Sequence, residues 1–490
     1  MRRFFLRLLG YPPIGRMALN MMKKRMFRSF EIPLSKALEK QERLLKKKFK
    51  RMKGTKIGDH LGIKDGVRLE DLSVTDYSFY EPFFNSPSQD AFMYPLEAYE
   101  KVKTSGTAGS EKWFLIPQNF ILKSTFETAV PAIMLATHDG EKITLEYGDT
   151  VYINTAPRPF AVGVMASLAT PAGGKFPLFN LVPNINLPFE DKVNFFINNY
   201  KNVDLAVMQA SILVSRIIPL VKEAIKLKGM FCPDTAVAEA YFDEITNFAG
   251  VPPRTSYNST ETMSCSIPSI QHPLGFILDW RRGIFEFAPV KEGIADENKI
   301  IGIDEVEVGE IYEVIYTGLE NDLTRYRTLN AFKCIAKGDD ILNTDHPVFK
   351  FHMRLEKTIS LHNFTRISED ELIAAFKESK IPFVEFTARK EFEKGLEYLA
   401  LYIETTEEIE AEKIKEKVHK RLYASDSDYR DLSDFYGYIP IKVYLMPSGT
   451  FAKYLMGKMA AVSKVDRIKM RDEEFNKLLK SAKDTERLVL

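Results

Sequence analysis

Apolar positions change their spacing along this chain, and each change predicts a different kind of structure. In residues 1–53 apolar side chains recur every three or four positions among Lys and Arg, which predicts basic helices interrupted at Pro12-Pro13 and Pro33. From about Tyr99 short apolar runs alternate with amphipathic ones. Residues 149–155 predict a buried strand running into a loop, and 189–200 and 211–226 predict helices. The run 204–208 between those helices is short and apolar, as a parallel strand is. Strand, helix, strand in this order predicts an α/β sheet with crossover connections. Another β-rich run covers 310–317. After about Arg354 the pattern becomes a small α+β unit. Ser368-Glu369-Asp370-Glu371 opens a helix with acid in its first turn, and strand 398–404, helix 407–423 and strand 441–445 follow.

Length and charge refine this outline. At 490 residues the chain exceeds one ordinary core, and the texture divides it into 1–53, 54–354 and 355–490. A hydrophobic fraction of 45% and a charged fraction of 28% are those of a globular protein. The net charge of +1 argues against nucleic acid as main partner. It hides an asymmetry, since residues 1–53 hold 17 Lys/Arg against 3 Asp/Glu. That segment reads either as an interfacial element lying on an anionic membrane, with Phe4, Phe5, Leu8 and Leu9 inserted, or as helices packed on the first domain. The opening ten residues look like a signal peptide only superficially, because their apolar stretch is short and broken by Arg7. Cys232, Cys265 and Cys334 form no C-x-x-C pair and read as small buried residues, which fits a reducing cytoplasm. No apolar run is long enough to span a bilayer, so the expected location is cytoplasmic or membrane-peripheral.

Three segments carry chemistry. In Lys103-Thr104-Ser105-Gly106-Thr107-Ala108-Gly109-Ser110-Glu111-Lys112, hydroxyls and glycines alternate ahead of a lysine. Glycines let backbone approach phosphate closely, and hydroxyls and N–H groups donate to its oxygens. The G-x-x-x-x-G-K-[ST] pattern is absent, so this is not a Walker A loop. Taken alone, such a composition also suits a surface turn. The second segment is Thr255-Ser256-Tyr257-Asn258-Ser259-Thr260-Glu261-Thr262, with an aromatic ring for a purine, a hydroxyl for a phosphate and a carboxylate for Mg²⁺. The third comprises Thr317-Gly318-Leu319 and then Leu323-Thr324-Arg325-Tyr326-Arg327-Thr328-Leu329-Asn330. Seven scattered histidines without H-x-x-x-H spacing give no metallohydrolase pattern.

In this order and at these separations the three segments resemble the adenylate-forming superfamily of acyl-CoA synthetases, peptide-synthetase adenylation domains and luciferases. They look like its T-S-G-T-T-G, Y-G-x-T-E and R-Y-R-T-G-D motifs. The compact Arg325-Tyr326-Arg327 and the late Gly449-Thr450-Phe451 are most similar to the acyl-acid amido synthetase branch, with phenylacetate-CoA ligases near. The resemblance covers roughly residues 39–469. It implies a large N-terminal α/β domain with parallel-sheet subdomains and a small mobile C-terminal α+β domain. It also implies ATP and Mg²⁺, a small carboxylic acid as substrate, and an amine acceptor, with CoA as the alternative.

Carried over by residue, Thr104, Ser105, Gly106, Thr107 and Gly109 would embrace the phosphates, with Lys112 nearby. Tyr257 would stack on adenine, Thr260 would contact the α-phosphate and Glu261 would ligate Mg²⁺. Arg327 would lie in the segment that reaches the nucleotide, Arg354 would precede the hinge, and Lys464, with Lys453 and Lys458 as rivals, would bring a cation to the reacting centre. Phe160, Val164 and Met165 are candidates for the acyl pocket. One departure stands out: where the superfamily has Gly-Asp, this chain has Leu329-Asn330. A neutral amide accepts from ribose hydroxyls less strongly than a carboxylate. Either Asn330 serves, or Asp339 of the Gly338-Asp339-Asp340 segment replaces it, or the chain is a non-catalytic relative that binds nucleotide or membrane.

Overall fold

The computed structural model describes residues 10–104, 112–169, 178–233, 235–291, 293–355, 358–362, 364–456 and 465–486. These form two compact units that meet at Leu355 in the chain.

The first unit contains two large sheets. Five short strands, Asn180–Val182, Thr150–Ile153, Leu205–Val207, Gly229–Phe231 and Pro253–Arg254, lie side by side in that order and all run parallel. Leu205, Ala206 and Met230 are fully buried, as strands covered on both faces require. The other sheet has seven strands in the order Ser266–Pro268, Phe276–Leu278, Val348–Arg354, Tyr326–Ala336, Ile311–Gly318, Gly283–Lys291 and Ile294–Ala295. Its pairings are antiparallel, so the expectation of parallel-sheet subdomains holds for one sheet only. The expected helix over 211–226 is also corrected. It runs from Ala210 through a π turn at Leu213–Ile217 and past Pro219 to Val221, where a left-handed Lys222 (φ 56°) ends it.

Residues 10–53 belong to this unit. The helix Pro12–Arg25 packs Leu19 beside Val151, Leu205 and Phe231 of the parallel sheet. The helix Leu34–Met52 sends Phe49 and Met52 into the core that also contains Tyr257 and Phe332. Its Lys48 is 1% exposed, and the amine donates to the carbonyls of Gly318 (2.7 Å), Asn321 (3.0 Å) and Leu323. A Cβ on Gly318 would stand 1.9 Å from Asn321 Oδ1, so glycine is required in this turn.

The second unit is a three-stranded sheet with helices. Phe383–Glu393 pairs antiparallel with Leu396–Thr405, which pairs parallel with Ile441–Leu445. Ser368 and Glu371 form a reciprocal capping box that starts the helix Glu369–Glu378. The Glu404 carboxylate accepts from the N–H groups of Gly449 (2.6 Å) and Phe451 (3.1 Å), which starts the helix Thr450–Met456.

Candidate active site

The strands Tyr99–Lys103 and Trp113–Pro117 form a hairpin with Lys103 opposite Trp113. One step beyond, the Thr104 N–H donates to the Lys112 carbonyl at 3.0 Å, closing the neck of the glycine-rich loop. Ser105, Gly106, Thr107 and Gly109 lie outside the described residues. Thr104 is buried, and its Oγ1 has no hydrogen-bond partner among them. The Lys112 amine lies over the Tyr77 ring at 5.3 Å. On the other side of the neck the Lys103 N–H donates to the Pro159 carbonyl at 3.1 Å, and its amine lies 5.5 Å from the Phe160 ring. Val164 is 1% exposed in the main core with Met165 packed against it, so both are packing residues.

Beyond the last parallel strand the chain makes a small hairpin, Asn258–Ser259 against Met263–Ser264. Ser259 Oγ meets Thr262 Oγ1 at 2.8 Å and accepts the Thr262 N–H, which pins the turn and sets Thr260 and Glu261 at its tip. Met263 takes a left-handed φ of 54°. Thr260 is buried and Glu261 half-buried, with the Glu261 carbonyl accepting from Asn321 Nδ2 at 3.3 Å.

Tyr257 corrects its expected part. Its ring is 8% exposed, stacked on Phe276 (5.9 Å between centroids) and met by Phe332 at 4.6 Å. That leaves little ring surface to receive a purine. Its hydroxyl instead accepts from Asn330 Nδ2 at 2.8 Å. Burial pushes that phenol well above its usual range, with Glu261 acting in the same direction and Arg354 opposing.

Asn330 is 1% exposed. Its Nδ2 donates to Tyr257 Oη and to the Thr328 carbonyl (3.1 Å), which fixes the amide's orientation. Its Oδ1 is thereby left as an acceptor with no partner among the described residues. Across the ladder Asn330 pairs with Arg354, the last residue of its strand. Leu329 beside it takes φ 55°, and its carbonyl accepts from the Leu355 N–H at 2.8 Å. Tyr257, Glu261, Asn330 and Arg354 are thus brought together, whereas Thr104 and Lys112 form the neck of a separate hairpin in the same unit.

Two expected site residues stand elsewhere. Asp339 cannot replace Asn330, because it lies past the far end of the strand Tyr326–Ala336 with both oxygens taken. Oδ2 accepts from Ser269 Oγ (2.6 Å), Ile270 N (2.7 Å) and Gln271 N (3.1 Å), and Oδ1 accepts from Leu342 N (3.0 Å). Burial works against its charge, but these donors hold its carboxyl below the usual range. Arg327 is bound by the buried Glu313 (2.9 and 2.7 Å) and by Glu297, so its charge is neutralised within the sheet. Lys464 and Lys458 lie outside the described residues, and Lys453 is on the helix Thr450–Met456. No group of three or more metal-ligating side chains is found among the described residues.

Lys48 is a residue that the reading of the sequence missed. Its signal was there: Gln41, Leu45, Lys48 and Met52 share one helix face, so a cation sits in an apolar stripe.

No family model matches the sequence. Among solved structures, the chain aligns over 93% of its length with 95% of an acyl acid amido synthetase in complex with 2,4-DB, at 14% identity and a TM-score of 0.50. It aligns, again over 93%, with 94% of a 2-hydroxyisobutyryl-CoA ligase in complex with 2-HIB-AMP and CoA, at 15% identity and a TM-score of 0.58. Over 93% of its length, then, the chain is built on the fold shared by these two adenylate-forming ligases.

Proposed function

We propose that this protein activates a carboxylic acid with ATP and passes the acyl group from the adenylate to an amine. The observation that carries the reading is the Tyr257–Asn330–Arg354 cluster, in the same unit as the Thr104–Lys112 neck of the glycine-rich segment and on a fold shared with two such ligases. The buried, unpartnered Thr104 Oγ1 and Asn330 Oδ1 fit a nucleotide: the first donates to a phosphate oxygen, and the second accepts from a ribose hydroxyl. Thr260 at the hairpin tip contacts the α-phosphate. Glu261 would hold Mg²⁺ through its carboxylate, and the ion would neutralise charge on the phosphates.

In the first step the substrate carboxylate attacks the α-phosphorus and pyrophosphate leaves. In the second the amine attacks the acyl carbon and AMP leaves. No enzyme nucleophile is needed, so rate comes from positioning and charge neutralisation. Arg354 and the cation assigned to Lys464 supply that neutralisation. Thiol transfer to CoA is the second reading, favoured by the likeness to a ligase that holds CoA.

The test is product analysis with ATP, a panel of aryl, short and long-chain acids, and either amino acids or CoA. Amide formation with pyrophosphate release confirms the reading, thioester formation moves it to CoA, and failure of every acid to release pyrophosphate would overturn it.

A further inference from the structure

We propose that the outward face of the helix Pro12–Arg25 and the turn after it dock the protein on an anionic lipid surface. The inner face of this helix is fully engaged. Gly15 and Leu19 are buried, and Ala18, Met22, Met26 and Phe27 pack against the core beneath. Three hydrogen bonds pin the element to its unit: Tyr147 Oη to the Gly10 carbonyl (2.9 Å), the Lys23 amine to the Ile143 carbonyl (3.2 Å) and Trp280 Nε1 to the Ser29 carbonyl (2.7 Å). The outer face has no such partners. Met17 is 61% exposed and Met21, one turn on, is 47% exposed, with Tyr11 at 61% before them. Arg16, Lys24, Arg25 and Arg28 are exposed around these apolar groups, and none forms a salt bridge among the described residues.

Charge complementarity selects the occupant. Residues 1–30 contain eight Lys/Arg and no Asp or Glu, while residues 54–490 hold 51 Lys/Arg against 64 Asp/Glu. An anionic plane therefore attracts one end of the sequence and repels the remainder, which turns this face toward it. The exposed methionines distinguish a bilayer from a nucleic acid, because a phosphate backbone is contacted by cationic and polar side chains, whereas an interfacial helix inserts apolar ones. Phe4, Phe5, Leu6, Leu8 and Leu9 add apolar residues just ahead of the helix in sequence. The contact is interfacial, since no helix among the described residues is long and apolar enough to cross a membrane.

The test is flotation of the 490-residue protein with vesicles of phosphatidylcholine alone or with phosphatidylserine added. A fluorescently labelled duplex DNA serves as a parallel probe. Retention confined to phosphatidylserine vesicles is expected. Replacing Arg16, Lys24, Arg25 and Arg28 together by Gln should lower the vesicle affinity on the order of several hundredfold. Met17→Ser with Met21→Ser should abolish the fraction that stays bound at high salt. Wild-type protein that ignores phosphatidylserine, binds both vesicle types equally, or binds the duplex but no vesicle would overturn the proposal. None of these readouts requires catalysis, so the outcome is independent of the ligase reading.

Discussion

Asn330 is where sequence and geometry bear on each other most closely. A neutral residue at the position that the resemblance gives to the ribose acceptor suggested a weakened site, yet its amide is locked by Tyr257 and Thr328 with the acceptor oxygen free among the described residues. Asn330→Ala removes this acceptor and should weaken ATP binding about tenfold in protein that remains folded. Isothermal titration with ATP checks this, and unchanged binding would remove Asn330 from the nucleotide site. Leu329 pays for its place with a left-handed backbone, which costs a residue with a side chain about 1 kcal/mol relative to glycine. Leu329→Gly should thus raise stability by about that amount in urea unfolding. Asp339 is a structural clamp for the turn at Ser269–Gln271. Asp339→Ala strands four donors and should cost about 3 kcal/mol while leaving the KM for ATP unchanged in protein that remains folded.

At the scale of elements, two buried polar clusters control local stability. Lys48 holds the turn after the strand Ile311–Gly318 to the helix Leu34–Met52. Burial pushes its amine down to about 7 against the pull of Asp322. Lys48→Met leaves three buried carbonyls without their donor and should destabilise the first unit by about 3–5 kcal/mol, measured by urea unfolding. In the second unit His362, 2% exposed, stacks on Tyr436 at 4.1 Å and accepts the Glu397 N–H at Nε2. Burial brings it down to about 4, with Glu397 opposing and Lys390 adding to the shift. Between its ordinary value of 6.5 and about 4, the unfolded chain takes up a proton that the folded one refuses. Stability therefore falls as pH drops through that window, by at most about 3 kcal/mol. His362→Asn, which tolerates the left-handed φ of 50°, should make that slope shallower than wild type in urea titrations run from pH 7 to 4, whatever its cost at pH 7.

For the whole molecule, the legible parts were those fixed by local pattern. The strands Leu205–Val207 and Ile441–Leu445, the helix Phe189–Asn199 and the Ser368 cap all follow from periodicity and capping chemistry. The antiparallel order of the seven-stranded sheet was hidden, because strand direction is set by long-range pairing that no short window contains. The helix over 211–226 was read too long because its apolar spacing continues past Lys222, where the backbone turns left-handed. Motif order found the hairpin tip and the Asn330–Arg354 strands, but it could not foresee which polar groups the fold would consume. Arg327 went to Glu313, Asp339 to a turn, and the Tyr257 ring to Phe276. The central claim is that the chain forms an acyl-adenylate, and ATP–pyrophosphate exchange with wild type, Glu261→Ala and Lys464→Ala tests it most directly. The account predicts exchange that depends on one class of carboxylic acid and falls at least about a hundredfold in both variants. Folded wild-type protein that catalyses no exchange with aryl, short or long-chain acids would contradict it.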